Sequence, residues 1–222
     1  MAEPEATHPA LAHVGAWTED AYLDLPADGR IELVDGSLLI GPRTDDRRDR
    51  AVSAVRAAIE AALPAALTVE GPSALRLSPG RILVPDLVVT ARQDIPGHGD
   101  GTADGPGADR AAAVRDSSVA LLVVDVVGRG NGVADRWFKP QLYAGSRIPY
   151  ALLVDHDEPF AVGNMLIGGR YHEYAGAGDG EVLHLEEPFA FDRDLATLAA
   201  HPAAESDPPS ADAEQAPDPV PH

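Results

Sequence analysis

The chain has 222 residues, 36 acids against 17 bases and a formal net charge of −19, with 45% hydrophobic residues. That length allows one good core plus tails, and the acidic balance argues against a protein that coats DNA through a basic surface. The chain has no cysteine, which excludes disulfides, thiolate metal sites and thiol catalysis.

Residues 1–14 are acidic, with no positively charged or apolar leader segment, and read as a disordered N-terminus. Residues 15–200 read as one domain. In "WTEDAYLDLP", Thr18 is the expected N-cap of a short helix that stops at Pro26. "RIELVDGSLLI" places Asp35-Gly36 between two apolar runs, the signature of a type I′ hairpin. Val52, Val55, Ile59 and Ala62 fall on one face of a helix over 46–63. Short strands are expected near 67–70 and 74–77, then two buried strands in "RILVPDLVVTA" and "SVALLVVDVV". Between these two, the Gly/Asp-rich stretch 94–110 reads as a flexible insert. A helix is expected over 133–144, then the strand "YALLVD" and antiparallel strands at 162–167, 170–174 and 182–185. The tail, 201–222, carries five acids, no lysine or arginine and six prolines, and reads as disordered. The expected fold class is α/β: a mixed β-sheet flanked by helices, with C-terminal antiparallel strands and one crossover. The longest apolar run, Val119–Val124, is too short to span a bilayer, and the expected location is cytoplasmic.

Asp125 sits among Val and Leu in "VALLVVDVV", where an isolated carboxylate would be costly. It needs a cation, a set of donors or a metal; the bland alternative is a strand-end carboxylate bonded to backbone amides. Asp86 leads the apolar run after Pro85, and with Asp125 on a neighbouring strand it would make a candidate cage for a hard divalent cation. Glu32 lies on the first hairpin strand, either in a site or facing solvent. Asp135 and Lys139 are one helical turn apart, and Lys139 is the only lysine beside sixteen arginines. A rival reading is the loop Gly128-x-Gly130-x-Gly132 with Asp155 ending the next strand, which approaches a nucleotide-binding βαβ unit. Its third glycine comes one position early, at Gly132 where Val133 is expected. The eight histidines show no paired metal spacing, and no GxSxG motif is present.

"WTEDAYLDLP", "RIELVDGSLL", "VPDLVV", "LLVVDVV", "DRWFKPQLYA", "RIPYALLVD" and "GRYHEY", in that order, resemble the Uma-two family of restriction-endonuclease-like proteins in the PD-(D/E)XK nuclease superfamily. The resemblance implies a restriction-endonuclease-like core and an endonuclease hydrolysing phosphodiester bonds of nucleic acid, DNA foremost. It implies Asp86 and Asp125 as ligands of Mg²⁺ or Mn²⁺, Glu32 as a further acidic participant and Lys139 as the catalytic lysine. Asp135 would hold Lys139 or the glycine loop in place, and pairing into a homodimer stays open. The chain departs from the family pattern at three places. Asp125 stands for a glutamate, Gly128 for a serine, and an arginine, Arg48, for the histidine that opens the first long helix. These departures leave a second reading open, a catalytically degenerate member serving as a binding or regulatory module.

Overall fold

A computed structural model of the chain describes residues 13–26, 30–41, 46–92, 110–128 and 134–198. The N-terminal stretch up to residue 12, residues 93–109 of the insert and the acidic tail lie outside the described residues.

Helix α1 (Glu19–Leu23) opens as its sequence demands, with the Thr18 hydroxyl accepting the Ala21 amide at 3.2 Å. Strands β1 (Ile31–Val34) and β2 (Ser37–Ile40) pair antiparallel around Asp35 and Gly36, both at positive φ as a type I′ turn requires. Helix α2 (Asp46–Ala62) buries Ala51, Val55 and Ile59 along one face. Strands β3 (Leu67–Glu70), β4 (Leu75–Ser78), β5 (Arg81–Leu83) and β6 (Leu87–Ala91) follow. After the insert come helix α3 (Arg110–Ala113), strand β7 (Arg115–Asp116), a single 3₁₀ turn and strand β8 (Ala120–Val127).

Where one helix was expected over 133–144, the described chain has a π-helical turn, Ala134–Phe138, running into α4 (Lys139–Gly145). Pro140 explains the change of pitch, since its ring cannot donate to the carbonyl one α-turn earlier. Strands β9 (Tyr150–Asp155), β10 (Phe160–Ile167), β11 (Arg170–Ala177), β12 (Val182–Leu185) and β13 (Phe191–Asp194), with the short α5 (Leu195–Leu198), complete the described chain.

The strands form two sheets and a ribbon rather than one sheet. The first sheet has the order β2-β1-β5-β4-β7, the second β11-β10-β9-β8-β6-β3, and β12 pairs with β13. "RILVPDLVVTA" is thus divided between them, β5 in the first sheet and β6 in the second. Pro85 sits at the break, where a residue without an amide hydrogen does least harm. In the second sheet β8 and β9 run parallel, joined through α4, and the other pairings are antiparallel. The sheet is mixed and the C-terminal strands antiparallel, as the sequence pattern predicts.

Alternation along β8 divides the core. Leu122, Val124 and Val126 pack with Ala51, Val55 and Ile59 of α2 and with α5. Val123 points the other way, into a second cluster with Val34, Leu83, Val88 and Tyr143. Asp125 shares that second parity with Val123, so it enters the space between the second sheet, the first sheet and α4.

Arg110, expected as the end of the flexible insert, is buried. Its guanidinium donates to the carbonyls of Leu25 and Pro26, at 3.3 and 2.5 Å, and to the Tyr22 hydroxyl at 3.1 Å.

Candidate active site

The register of the second sheet brings the two strand acids together. Val88 lies opposite Val123 and Leu87 opposite Val124, so one further step along both strands sets Asp86 beside Asp125. The Val126 amide donates to Asp86 Oδ2 at 2.8 Å, tying the two strand ends to each other. Both side chains are buried, at 4% and 6% exposure.

Glu32 arrives from the first sheet. All four residues of β1 are buried, so the solvent-facing reading of Glu32 does not hold. Its Oε1 accepts the Val84 amide at 2.7 Å, and its Oε2 meets Lys139 Nζ at 2.7 Å. Lys139 is buried as well, at 4% exposure, and reaches Asp135 Oδ1 at 2.5 Å. The Asp135–Lys139 spacing therefore serves the interior rather than a solvated helix face. An ammonium suits this place because it is compact and can turn one donor to each acid without a planar fork. The five residues proposed from the sequence, Glu32, Asp86, Asp125, Asp135 and Lys139, thus gather in one buried cluster.

Two further members are arginines. Arg30 Nη1 donates to Asp86 Oδ1 at 2.6 Å, and its Nη2 donates to the Val84 carbonyl at 2.7 Å and lies 3.5 Å from Asp125 Oδ1. Arg48, from the first turns of α2, donates to Asp86 Oδ1 at 2.6 Å and Oδ2 at 2.7 Å. Arg30 was absent from the sequence-derived site, and Arg48 figured there only as a substitute for a histidine. The signals were available: Arg30 stands directly before β1, two residues ahead of Glu32, hence on the same side if the extended chain is continued back by one residue. A cluster of three buried acids and the half-buried Asp135 with one lysine also requires further positive charge.

The electrostatics follow from burial. Desolvation pushes the Asp125 carboxyl up to about 7; the Lys139 ammonium opposes the rise, and the neighbouring Asp86 adds to it. Burial also raises Asp86 and Glu32, against the Arg30 guanidinium in the first case and the Lys139 ammonium in the second. Burial works against the Lys139 charge, but Asp125, Glu32 and Asp135 outweigh it and hold its pKa above the ordinary lysine value. The buried Tyr143 hydroxyl sits near enough to Asp125 for its pKa to be pushed well up, first by burial and then by that carboxylate. Neither the Tyr143 hydroxyl nor Asp125 Oδ1 makes a hydrogen bond of ordinary geometry.

Among the described residues no group of three or more His, Cys, Asp or Glu side chains is gathered as metal ligands would be. Asp86 and Asp125 lie side by side at their strand ends, and carboxylate oxygen is what a hard divalent ion takes while it keeps several waters. Such an ion would meet there the buried Asp125 Oδ1, which makes no hydrogen bond, and the Arg30 guanidinium shared by both acids.

The glycine loop fits a nucleotide poorly. A Cβ at Gly128 would stand 2.6 Å from both Asp157 Oδ2 and His156 Nε2, so close packing accounts for that glycine. Asp155, where a ribose-binding acid would be needed, is fully buried. It is paired with Arg136 and accepts the Asp157 and Glu158 amides at 2.8 and 3.0 Å. Residues 129–133 lie outside the described residues.

An α/β core with buried acids on adjacent strands and a lysine from the following helix defines a protein of restriction-endonuclease-like fold. The comparisons agree. The profile of the Uma2 family, described as "Putative restriction endonuclease", matches residues 19–198, and the chain belongs to that family. It is similar in structure to a protein from Anabaena variabilis ATCC 29413 described as "a putative nuclease belonging to DUF820". The TM-score is 0.62 at 13% identity, covering 83% of this chain and 98% of that one, a likeness of fold. No curated protein matches the chain. No described helix is long and apolar enough to cross a membrane.

Proposed function

We propose that this protein is an endonuclease that hydrolyses phosphodiester bonds of nucleic acid, DNA foremost, with Mg²⁺ or Mn²⁺ as cofactor, in the cytoplasm. One observation carries the reading: Asp86, Asp125 and the Lys139 ammonium converge in a single buried cluster, on the fold of a nuclease family. Asp86 and Asp125 would hold the metal. Bound there, a divalent ion supplies a water of lowered pKa and neutralises phosphate charge. Glu32 and Asp135 fix the Lys139 side chain from two sides, so its ammonium is held charged and pointed for contact with a phosphate oxygen or an attacking water. The Val84 amide in turn fixes Glu32.

The test is cleavage of supercoiled plasmid, linear duplex, single-stranded DNA and RNA at millimolar Mg²⁺ or Mn²⁺. Wild type should cut at least one, and Lys139→Arg and Asp125→Asn should each lose at least a hundredfold while unfolding cooperatively. A folded Lys139→Arg protein with full metal-dependent cleavage would remove the role given to the lysine. The degenerate reading has its own support, because both oxygens of Asp86 are already bonded to arginines. It predicts that folded wild type cuts none of the four substrates.

A further inference from the structure

Asp86 Oδ1 accepts from Arg30 and Arg48, and Oδ2 from Arg48 and the Val126 amide, at 2.6 to 2.8 Å. A carboxylate offers about four lone-pair sites, so the neighbours of Asp86 fill them. Asp125 is the reverse case, buried with Oδ1 unpartnered and the Arg30 guanidinium 3.5 Å away. One guanidinium thus serves both strand-end acids from the position where a divalent ion would draw on both.

We propose that Arg30 is the resident counter-cation of this site, and that a divalent metal ion binds there in exchange for it. The proposal rests on the metal-dependent reading given above. Charge count supports the exchange. Counting these described groups alone, with Glu32, Asp86, Asp125 and Asp135 ionised, Arg30, Arg48 and Lys139 leave one negative charge; without Arg30 there are two, matching a divalent ion. Arg30 is also the partner placed to leave. Its side chain is 15% exposed against 8% for Arg48, and it is divided among Asp86, Asp125 and the Val84 carbonyl. Arg48 grips both oxygens of Asp86 from the buried face of α2 and remains as the fixed partner. A metal ion therefore meets a site already neutralised, and its affinity is set by how readily the guanidinium withdraws.

The experiment is Mn²⁺ titration calorimetry on wild type, Arg30→Gln, Arg30→Lys and Arg30→Gln/Asp125→Asn, each checked for cooperative thermal unfolding. Glutamine keeps a polar amide at the position of the Arg30 Nε while removing the charge and the reach to the Val84 carbonyl and both acids. Arg30→Gln should bind Mn²⁺ at least tenfold more tightly than wild type, Arg30→Lys should resemble wild type, and the double variant should lose the gain. Equal or weaker binding by folded Arg30→Gln would overturn the proposal. Independently of any variant's folding, the Arg30 Nε–H resonance of the ¹⁵N-arginine-labelled wild type should shift on addition of saturating Mg²⁺. An unmoved resonance would overturn the exchange as well. Failure here and failure of the nuclease reading are separable. Tight Mn²⁺ binding by Arg30→Gln without cleavage keeps the exchange and removes the activity; metal-dependent cleavage by wild type with no gain in Arg30→Gln does the opposite.

Discussion

Replacing Lys139 by methionine isolates the energetic role of the ammonium from any role in chemistry. The side chain is 5% exposed and forms ion pairs of 2.7 and 2.5 Å, with Glu32 and Asp135. Methionine fills similar volume but leaves Glu32, itself 4% exposed, with the Val84 amide at one oxygen and nothing at the other. Breaking a buried pair from one side costs about 3–5 kcal/mol. Asp135, at 13% side-chain exposure, can turn towards water and adds little. We expect a loss of about 3 kcal/mol at pH 8, or a Tm lowered by roughly 6–12 °C for a domain of this size.

The pH dependence fixes the cause. Burial already raises the Glu32 pKa against the pull of Lys139, and without the lysine only the Val84 amide and the Arg30 charge oppose the rise. The folded variant then binds a proton more tightly than the unfolded chain, so its stability falls as pH rises above the ordinary glutamate value of about 4.3. The deficit against wild type should shrink towards pH 5 and return at pH 8. Urea denaturation at the two pH values measures it. Lys139→Met/Glu32→Gln should recover more than half of the loss, since a neutral amide tolerates burial better than an unpaired carboxylate. Equal deficits at both pH values, together with a double variant no more stable than the single, would refute the reasoning.

Arg110→Ala should cost about 3 kcal/mol by urea denaturation, because it strips donors from the Leu25, Pro26 and Ile31 carbonyls and the Tyr22 hydroxyl and removes a cation–π contact at 4.9 Å. Gly71→Ala should destabilise by more than about 3 kcal/mol and disturb the site, since its Cβ would fall 1.9 Å from the Asp86 carbonyl oxygen; an unchanged urea midpoint would contradict the packing. Glu19 has its pKa held down by the Gly80 amide and then, against some desolvation, by Arg76. Its contribution is present above the unfolded glutamate value and is lost as pH falls through the depressed folded value. The stability difference between wild type and Glu19→Gln should therefore narrow below about pH 4, and a difference constant from pH 7 to pH 3 would count against it.

Local rules carried well where one residue decides the geometry. Asp35-Gly36 makes its turn and Thr18 caps its helix because each acts on atoms within three or four residues. The acids of the site were legible for a related reason. A carboxylate inside a Val/Leu strand is anomalous before any partner is known, and Lys139 stood out as the only lysine. The division into two sheets was not legible, because the strand pairs β1 with β5 and β6 with β8 depend on tertiary placement that periodicity does not encode. The arginines escaped for the opposite reason to the lysine. With sixteen in the chain, nothing local separates Arg30, Arg48 and Arg110, which are buried or nearly so, from those on the surface.

The segment 93–109 joins two points that are each secured without it. On the near side Arg92 donates to the carbonyls of Ala65 and Leu67, at 3.0 and 3.1 Å; on the far side Arg110 is locked beneath α1. Because both anchors hold by their own contacts, a change in the number of residues between them leaves those contacts in place. Doubling it should cost only about 0.6 kcal/mol of closure entropy. A reporter or affinity domain spliced in between residues 93 and 109 should therefore leave the cluster of Glu32, Asp86, Asp125 and Lys139 folded, since neither anchor is a member of it.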